Sequence, residues 1–149
     1  MGYAYSSSGP DRACLWFQGR ITDLGTLGGD RGEARDINDV GQIVGYSYSK
    51  SRQGRGFLWF NDKMLDLRAI RGGKYSHAWG INNSGQVVGN CDRGGFLWSN
   101  GTMSCLNRLL PKNSGWQISE AWDINSSGQI VGGGTFNGQA HAFLMTPVP

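Results

Sequence analysis

The chain has 149 residues, 25 of them glycine, with 17% charged residues and a net charge of +3 at pH 7. This length suits one domain, and no run of like charges or long apolar stretch points to a nucleic-acid or membrane partner. Glycine, Val and Ile together with 11% aromatic residues predict an all-β protein rich in tight turns.

In chain order, the first blocks to recur later are two short strands and a hairpin. Residues 13–17 and 19–24 read "ACLWF" and "GRITDL". Residues 36–46 read "DINDVGQIVGY", in which Ile37 precedes an Asn-x-x-Gly turn and the β-branched pair Ile43 and Val44 follows it. Asn accepts hydrogen bonds from its own backbone and Gly takes the left-handed position of the turn, so this stretch predicts two strands of a hairpin.

The same blocks return twice more in the same order, and the first of them a third time, which indicates an internal repeat. They are "GFLWF" (56–60), "DKMLDL" (62–67), "GINNSGQVVGN" (80–90), "GFLWS" (95–99), "GTMSCL" (101–106), "DINSSGQIVGG" (123–133) and "AFLMT" (142–146). One unit therefore reads as four strands, a–b–c–d. The chain carries 14 strand blocks, beginning with b–c–d and ending with a–b–c.

These blocks predict a single repeat domain over residues 1–149. Its units are expected at about 2–32 (partial), 33–76, 77–119 and 120–149 (partial). Four-stranded meanders of roughly 40–45 residues are typical of propeller blades, so we expect propeller-like blades, about three and a half per chain. A β-sandwich or a prism is the alternative.

Several smaller features carry their own expectations. The b–c spacing differs most between units, so the b–c connection is expected to be a variable loop. The glycine-rich segment 25–32 lacks the ending of a phosphate loop and is expected to connect strand d to strand a. Trp16, Trp59 and Trp98 lie on c strands and are expected in the core. Cys14, Cys91 and Cys105 lack disulfide-framework or zinc spacing and are expected to be ordinary, mostly buried thiols, with a single disulfide between two of them as the alternative.

Together with "AHAFLM" at 140–145, these blocks resemble the HAF repeat family, named for the tripeptide that stands here as His141-Ala142-Phe143. The resemblance covers essentially the whole chain. It implies a bacterial repeat protein, extracellular and without an assigned activity. The N-terminus lacks the basic region and apolar core of a secretory signal, which favours the cytoplasm instead.

Sequence patterns for catalysis and metal binding are missing. His77 and His141 are the only histidines and are not at ligand spacing, and no G-x-S-x-G or cofactor motif occurs. We therefore expect no enzyme activity, no metal and no cofactor. A hydrolase with paired carboxylates at a ring axis stays open, because distances between units cannot be derived from the sequence.

Positions that differ between equivalent units are the candidates for ligand contact. Arg35, Trp79 and Trp122 share one equivalent position. Further candidates lie in or beside the b–c connections, namely Tyr46, Tyr48, Asp92, Arg93, Phe136 and Asn137. Trp and Tyr among amide and charged groups suit a sugar ring or a peptide. A core position between units is the other interpretation of Trp79 and Trp122.

The sequence thus predicts a non-catalytic binding module for a carbohydrate or a peptide. The alternative is a structural repeat fragment without a ligand. Partial units and exposed strand edges predict a homodimer that completes a ring, because two chains carry 28 blocks, or seven blades of four. A lone chain whose last c strand packs against its first b strand is the competing arrangement.

Overall fold

The computed structural model describes residues 2–6, 9–68 and 73–148, the first of these ranges as backbone only. These residues form fourteen β-strands, paired antiparallel, and one 3₁₀ helix, Leu106–Arg108. The all-β prediction is confirmed, and the described ranges contain no α-helix. Nothing helical in them is long and apolar enough to cross a membrane.

The strands form four sheets, each made of consecutive strands in the predicted order of blocks. Sheet 1 consists of β1 (Gly2–Ser6), β2 (Gly9–Phe17) and β3 (Arg20–Asp23). Sheet 2 consists of β4 (Gly28–Ile37), β5 (Ile43–Ser49), β6 (Gly54–Phe60) and β7 (Lys63–Asp66). Sheet 3 consists of β8 (Ser76–Ile81), β9 (Val87–Cys91), β10 (Gly94–Ser99) and β11 (Thr102–Cys105). Sheet 4 consists of β12 (Trp116–Ile124), β13 (Ile130–Phe136) and β14 (Gln139–Met145).

Each a–b hairpin closes on an Asn-to-Gly turn, as predicted. The Gly41 N–H donates to the Asn38 carbonyl at 3.0 Å, and Gly41 has φ +81°. The side-chain oxygen of Asn38 accepts the Gln42 N–H at 2.9 Å. The turns that begin at Asn82 and Asn125 repeat this pattern. Local turn chemistry therefore fixes the register of all three hairpins.

The b–c connections differ in length, as the prediction of a variable loop requires, but the loop accounts for only part of the variation. Between β13 and β14 only Asn137 and Gly138 connect the strands, because the extra residues of this unit pair with each other and lengthen both strands. Between β5 and β6 the connection is residues 50–53. In sheet 1 it is residues 7–8, which lie outside the described residues. Unit length therefore varies through strand length as well as through the loop.

The glycine-rich segment was also predicted wrongly as a connection. Residues 28–32 belong to β4, and only residues 24–27 connect it to β3. Gly29 permits the close approach of the neighbouring strand, because a methyl group there would overlap the Tyr48 carbonyl oxygen.

Three apolar cores hold successive sheets together. Their central residues are Leu24, Ile43 and Phe57 between sheets 1 and 2, Val44, Val87 and Phe96 between sheets 2 and 3, and Val88, Ile118 and Ile130 between sheets 3 and 4. Side chains alternate along a strand, so Val87 faces sheet 2 whereas Val88 faces sheet 4. Sheets 2 and 3 are therefore covered on both faces.

The core prediction for the c-strand tryptophans is confirmed in two cases of three. Trp59 packs against the first core, and Trp98 is 9% exposed in the second. The prediction is wrong for Trp16, which is 66% exposed. Trp16 occupies the equivalent position of sheet 1, and within the described residues no sheet packs on that face.

The cysteines agree with the prediction of mostly buried thiols. Cys91 and Cys105 are buried and Cys14 is half-buried, all three as free thiols. Burial raises the pKa of the Cys91 thiol. It therefore stays protonated at neutral pH, which suits a packing role and not a nucleophile.

A ladder of asparagine side chains links sheets 2, 3 and 4. Asn38 Nδ2 donates to the Asn82 carbonyl, and Asn82 Nδ2 donates to the Asn125 carbonyl, both at 3.0 Å. Asn38 and Asn82 are buried, whereas Asn125 is exposed. The turn asparagines therefore also join successive sheets, a second role that the sequence analysis did not identify.

Candidate ligand-binding surface

Arg35, Trp79 and Trp122 each lie on a β-bulge in the first strand of sheets 2, 3 and 4. Ala34 pairs with Gly45 and Asp36 with Val44, so Arg35 has no opposite residue in β5. The pairings around Trp79 and Trp122 skip one residue in the same way. A bulge bends the strand and redirects the extra side chain. The position that became a candidate because its residue differs between units is therefore also distinguished by its backbone conformation. We call it the bulge position.

The glycine opposite each bulge makes it possible. A methyl group on Gly45 would overlap the carbonyl oxygen of Glu33, two residues before Arg35. Gly89 and Gly132 stand in the same relation to the two following bulges. The last glycine of each "GQIVG"-like block is therefore required by the close approach of two strands.

Two successive bulge positions meet through their side chains. Arg35 Cζ lies 4.7 Å from the centre of the Trp79 ring and 5.8 Å from that of Tyr46. Arg35 Nη2 pairs with Glu33 Oε1 at 3.0 Å, and the Tyr46 hydroxyl donates to the other Glu33 oxygen. Trp79 Nε1 donates to Asn90 Oδ1 at 2.7 Å. The guanidinium is therefore held by a carboxylate and two aromatic rings.

Aromatic rings continue from this group in two directions. The Tyr46 ring stacks on His77, with centres 4.3 Å apart, and meets Tyr48 edge-on at 6.3 Å. Beyond His77, the Tyr75 ring lies 5.6 Å away and is exposed. We call Glu33, Arg35, Tyr46, His77 and Trp79 the Arg35 cluster. It lies on the surface where sheets 2 and 3 meet.

Burial and charge set the protonation of two members of the cluster. Burial, the hydrogen bond to Glu33 and the charge of Glu33 raise the pKa of Tyr46 to about 12, against an opposing effect of Arg35. Burial, and then the charge of Arg35, lower the pKa of His77, while Glu33 opposes the shift. At neutral pH Tyr46 is therefore a hydroxyl donor and His77 an uncharged ring.

A small open cleft lies beside Tyr48. Its volume is about 230 Å³, and Asp30, Arg31, Tyr48 and Arg52 line it. Arg52 belongs to the turn between β5 and β6 and has φ +58°, a region that costs free energy for a non-glycine residue. The cleft adds two guanidinium groups to the surface that begins at the Arg35 cluster.

Trp122 and Phe136 lie on sheet 4, outside the Arg35 cluster. Trp122 is 49% exposed and donates from Nε1 to Glu120 Oε2 at 3.0 Å. The Phe136 ring packs near Trp116 and His141, with centres 5.3 and 6.2 Å away. Phe136, Trp116 and His141 therefore form a separate aromatic group on sheet 4, and no ring contact joins Trp122 to them among the described residues.

The contacts of Asp92, Arg93 and Asn137 involve backbone groups. The Asp92 carboxylate accepts the backbone N–H groups of Lys74 and Tyr75. The Arg93 carbonyl accepts hydrogen bonds from two side chains of sheet 3 and its following helix, and the Asn137 N–H donates to the Gly115 carbonyl at 2.8 Å. Of the nine candidates, the structure therefore gathers Arg35, Tyr46, Tyr48 and Trp79.

Four neighbours of these residues were not among the candidates, namely Glu33, Tyr75, His77 and Asn90. His77 was considered only as a metal ligand. A signal for two of them was present, because Glu33 and His77 stand two residues before a bulge position, where alternation along a strand favours the same face.

The two histidines do not form a site together. His77 lies on β8 and His141 on β14. Across residues 2–6, 9–68 and 73–148, no group of three His, Cys, Asp or Glu side chains converges to hold a metal ion.

Comparison with known proteins found no matching family model, curated protein or solved structure. The function of the chain has to be inferred from the geometry of the Arg35 cluster and the surface beside it.

Proposed function

We propose that the chain is a non-catalytic binding module whose ligand, a carbohydrate or a peptide, lies across the Arg35 cluster and Tyr48. The observation that carries this proposal is the convergence of Arg35, Tyr46, Tyr48 and Trp79 from two different sheets. Aromatic faces beside a few fixed polar groups are the usual composition of a ligand site. Sugar rings and peptide side chains both stack on such faces.

The cluster is ordered before any ligand arrives. Glu33 and Trp79 fix the guanidinium of Arg35, while 37% of the Arg35 side chain stays exposed. Binding at a side chain that is already held costs less conformational entropy than ordering a free one. The exposed edge of the guanidinium offers N–H donors to hydroxyl, carbonyl or carboxylate oxygens of a ligand.

The arrangement of the sheets is also part of the proposal. We infer propeller-like blades, about three and a half per chain by strand number, as in the HAF repeat family that the sequence blocks resemble. Two features support this: successive sheets share apolar cores, and the Asn38–Asn82–Asn125 ladder repeats along one edge of three sheets. In such an arrangement the Arg35 cluster would lie at the edge of a junction between two blades, beside its buried apolar core.

A hydrolase is not proposed. That activity needs a pair of carboxylates free to act on a substrate. Asp36 and Asp123 stand two residues before asparagines of the ladder. Their carboxylates accept backbone N–H groups at 2.8 and 2.7 Å.

Binding to arrays of immobilised oligosaccharides and peptides tests the function. We expect Trp79→Ala and Arg35→Ala to weaken binding of the ligand at least tenfold. Trp122→Ala is the matched control, because Trp122 occupies a bulge position outside the cluster and should leave the affinity unchanged. Equal losses in all three variants would contradict the placement of the site. A folded wild-type protein that binds neither array would support the structural repeat without a ligand.

A further inference from the structure

Successive sheets carry similar residues at equivalent positions of the two faces that form the cores. The face toward the following sheet presents Val44 and Leu58 in sheet 2 and Val88 and Leu97 in sheet 3. The face toward the preceding sheet presents Trp59 and Met64 in sheet 2 and Trp98 and Met103 in sheet 3. Between sheets 2 and 3 the Val44/Leu58 face therefore meets the face that carries Trp98 and Met103, and between sheets 3 and 4 the Val88/Leu97 face meets Ile130 and Met145.

One face of each kind is left uncovered. On sheet 4, Val131 is 41% and Leu144 64% exposed, although Val88 at the equivalent position is 0% exposed. On sheet 1, Trp16 and Ile21 are 66% and 62% exposed, at the positions of Trp98 and Met103. Apolar side chains of this size are exposed together mainly where something binds.

We propose that a second copy of this chain covers these faces head to tail, sheet 4 of one copy packing on sheet 1 of the next. The occupant follows from the chain itself. Each open face is the counterpart of the other, since Val131 and Leu144 continue the Val/Leu series, and Trp16 and Ile21 continue the opposite one. The face with Val131 and Leu144 differs from the face with Trp16 and Ile21. A two-fold contact, in which each face packs on the same face of a second copy, is therefore disfavoured.

The contact has specific consequences. Because two different faces meet, copies close into a ring or continue as a filament. A closed pair would contain eight sheets, four from each chain, and not the seven blades that the strand count predicted. The Arg35 cluster lies between sheets 2 and 3, and this inference does not rest on the proposed binding function.

Light scattering at micromolar concentration tests the proposal with the 149-residue chain. We expect a mass above that of one chain for the wild-type protein. Val131→Glu with Leu144→Glu blocks one face, and Trp16→Glu with Ile21→Glu blocks the other, so each variant alone should have the mass of one chain. An equimolar mixture of the two variants should have the mass of two chains, because each retains the face that the other lacks.

The controls separate association from folding. Leu65→Glu introduces a charge at a 52% exposed leucine of sheet 2, whose two faces are covered, and should not change the mass of the wild-type assembly. Circular dichroism checks that every variant is folded; if a double variant is not, the single changes Leu144→Lys and Trp16→Lys replace it. A wild-type mass of one chain at 100 µM would overturn the proposal, and so would a mixture of folded variants that fails to pair.

Discussion

The guanidinium of Arg35 lies 4.7 Å from the centre of the Trp79 ring, so the bulge positions of two successive sheets are in direct contact. The next bulge position behaves differently. Trp122 donates its ring N–H to Glu120 on its own strand. The units are nearly equivalent, but the junction between sheets 2 and 3 differs from the next junction. There a cation lies at the first bulge position and an aromatic ring at the second.

We predict that Arg35→Ala lowers the free energy of unfolding by about 1 kcal/mol, because it removes both the cation–π contact and the ion pair with Glu33. Arg35→Lys should recover only part of this loss, since an ammonium lacks the planar fork that matches the Glu33 carboxylate. Urea unfolding measures both. Arg20→Ala, on the exposed β3, is the control and should stay within about 0.5 kcal/mol of wild type. Indistinguishable effects of Arg35→Ala and Arg20→Ala would show that the cluster does not hold the guanidinium.

Gly45→Ala is expected to lower the free energy of unfolding by more than the addition of one methyl group suggests. The added methyl group would overlap the Glu33 carbonyl oxygen, so β4 and β5 must separate at the bulge. We expect a loss of about 2–3 kcal/mol in the free energy of unfolding, together with displacement of Arg35 and loss of ligand binding.

Gly32→Ala provides the matched comparison for this change. It lies on the same pair of strands, but its nearest neighbours stand at 3.6 Å, an ordinary contact distance. Its cost should be about 0.5 kcal/mol or less. The role assigned to the glycine opposite the bulge is wrong if the two alanine variants unfold at the same urea concentration.

The order of strands and their hairpins could be predicted from the sequence because both depend on neighbouring residues. Asn38 and Gly41 specify a turn within four positions, and β-branched runs on either side specify the strands. The bulge at Arg35 was missed because it depends on which residue of β5 stands opposite. Gly45 carried that information, but only the pairing of the strands shows that a side chain there would collide with Glu33.

The candidate site could be predicted only in part for a similar reason. Variation between units selected Trp79 and Trp122 equally, yet Trp79 meets the guanidinium of Arg35 from the preceding sheet, whereas Trp122 donates to Glu120 on its own strand. Trp16 and Trp59 look alike in sequence, and their exposure differs because one has a sheet packed over it. Contacts between sheets thus decide what a residue does, and local patterns do not report them.

The contribution of the asparagine ladder to stability can be measured by replacing two equivalent asparagines. Asn82 Nδ2 donates to the Asn125 carbonyl and to Gln86 Oε1, and its Oδ1 accepts the N–H groups of Ser84 and Gln86. Asn82→Ala leaves these groups without partners at a position that is 4% exposed, and should cost about 2–3 kcal/mol.

Asn125→Ala removes the equivalent turn contacts at an exposed position and should cost only about 1 kcal/mol. The difference between the two variants, measured by urea unfolding, reports the bond between sheets and its burial. Asn82→Asp keeps the acceptor of the turn but loses the donor and buries a carboxylate against the Asn125 carbonyl, so its cost should be as large as that of Asn82→Ala. Equal costs at the two asparagines would mean that the ladder adds nothing to the turns.

The last prediction concerns acidification, which should destabilise the protein through His77. Burial, followed by the charge of Arg35, lowers the pKa of His77 below its ordinary value of 6.5 in the folded chain. Below about pH 6.5 the unfolded chain therefore binds a proton that the folded chain does not yet accept. This contribution to stability is complete above that pH and is lost as the pH falls toward the folded-state pKa.

Thermal unfolding at pH 7.5 and pH 5.5 checks the sign of this effect. The wild-type midpoint should fall more over this interval than that of His77→Gln, which has no titrating ring. His141→Gln, on β14 and outside the Arg35 cluster, should keep the wild-type loss. An NMR titration of the His77 ring locates the folded-state pKa directly, and a value at or above 6.5 would reverse the expected direction. Because Glu33 opposes the shift, Glu33→Gln should lower the pKa of His77 further, so that the loss of stability still begins near pH 6.5 but continues to more acidic pH and becomes larger.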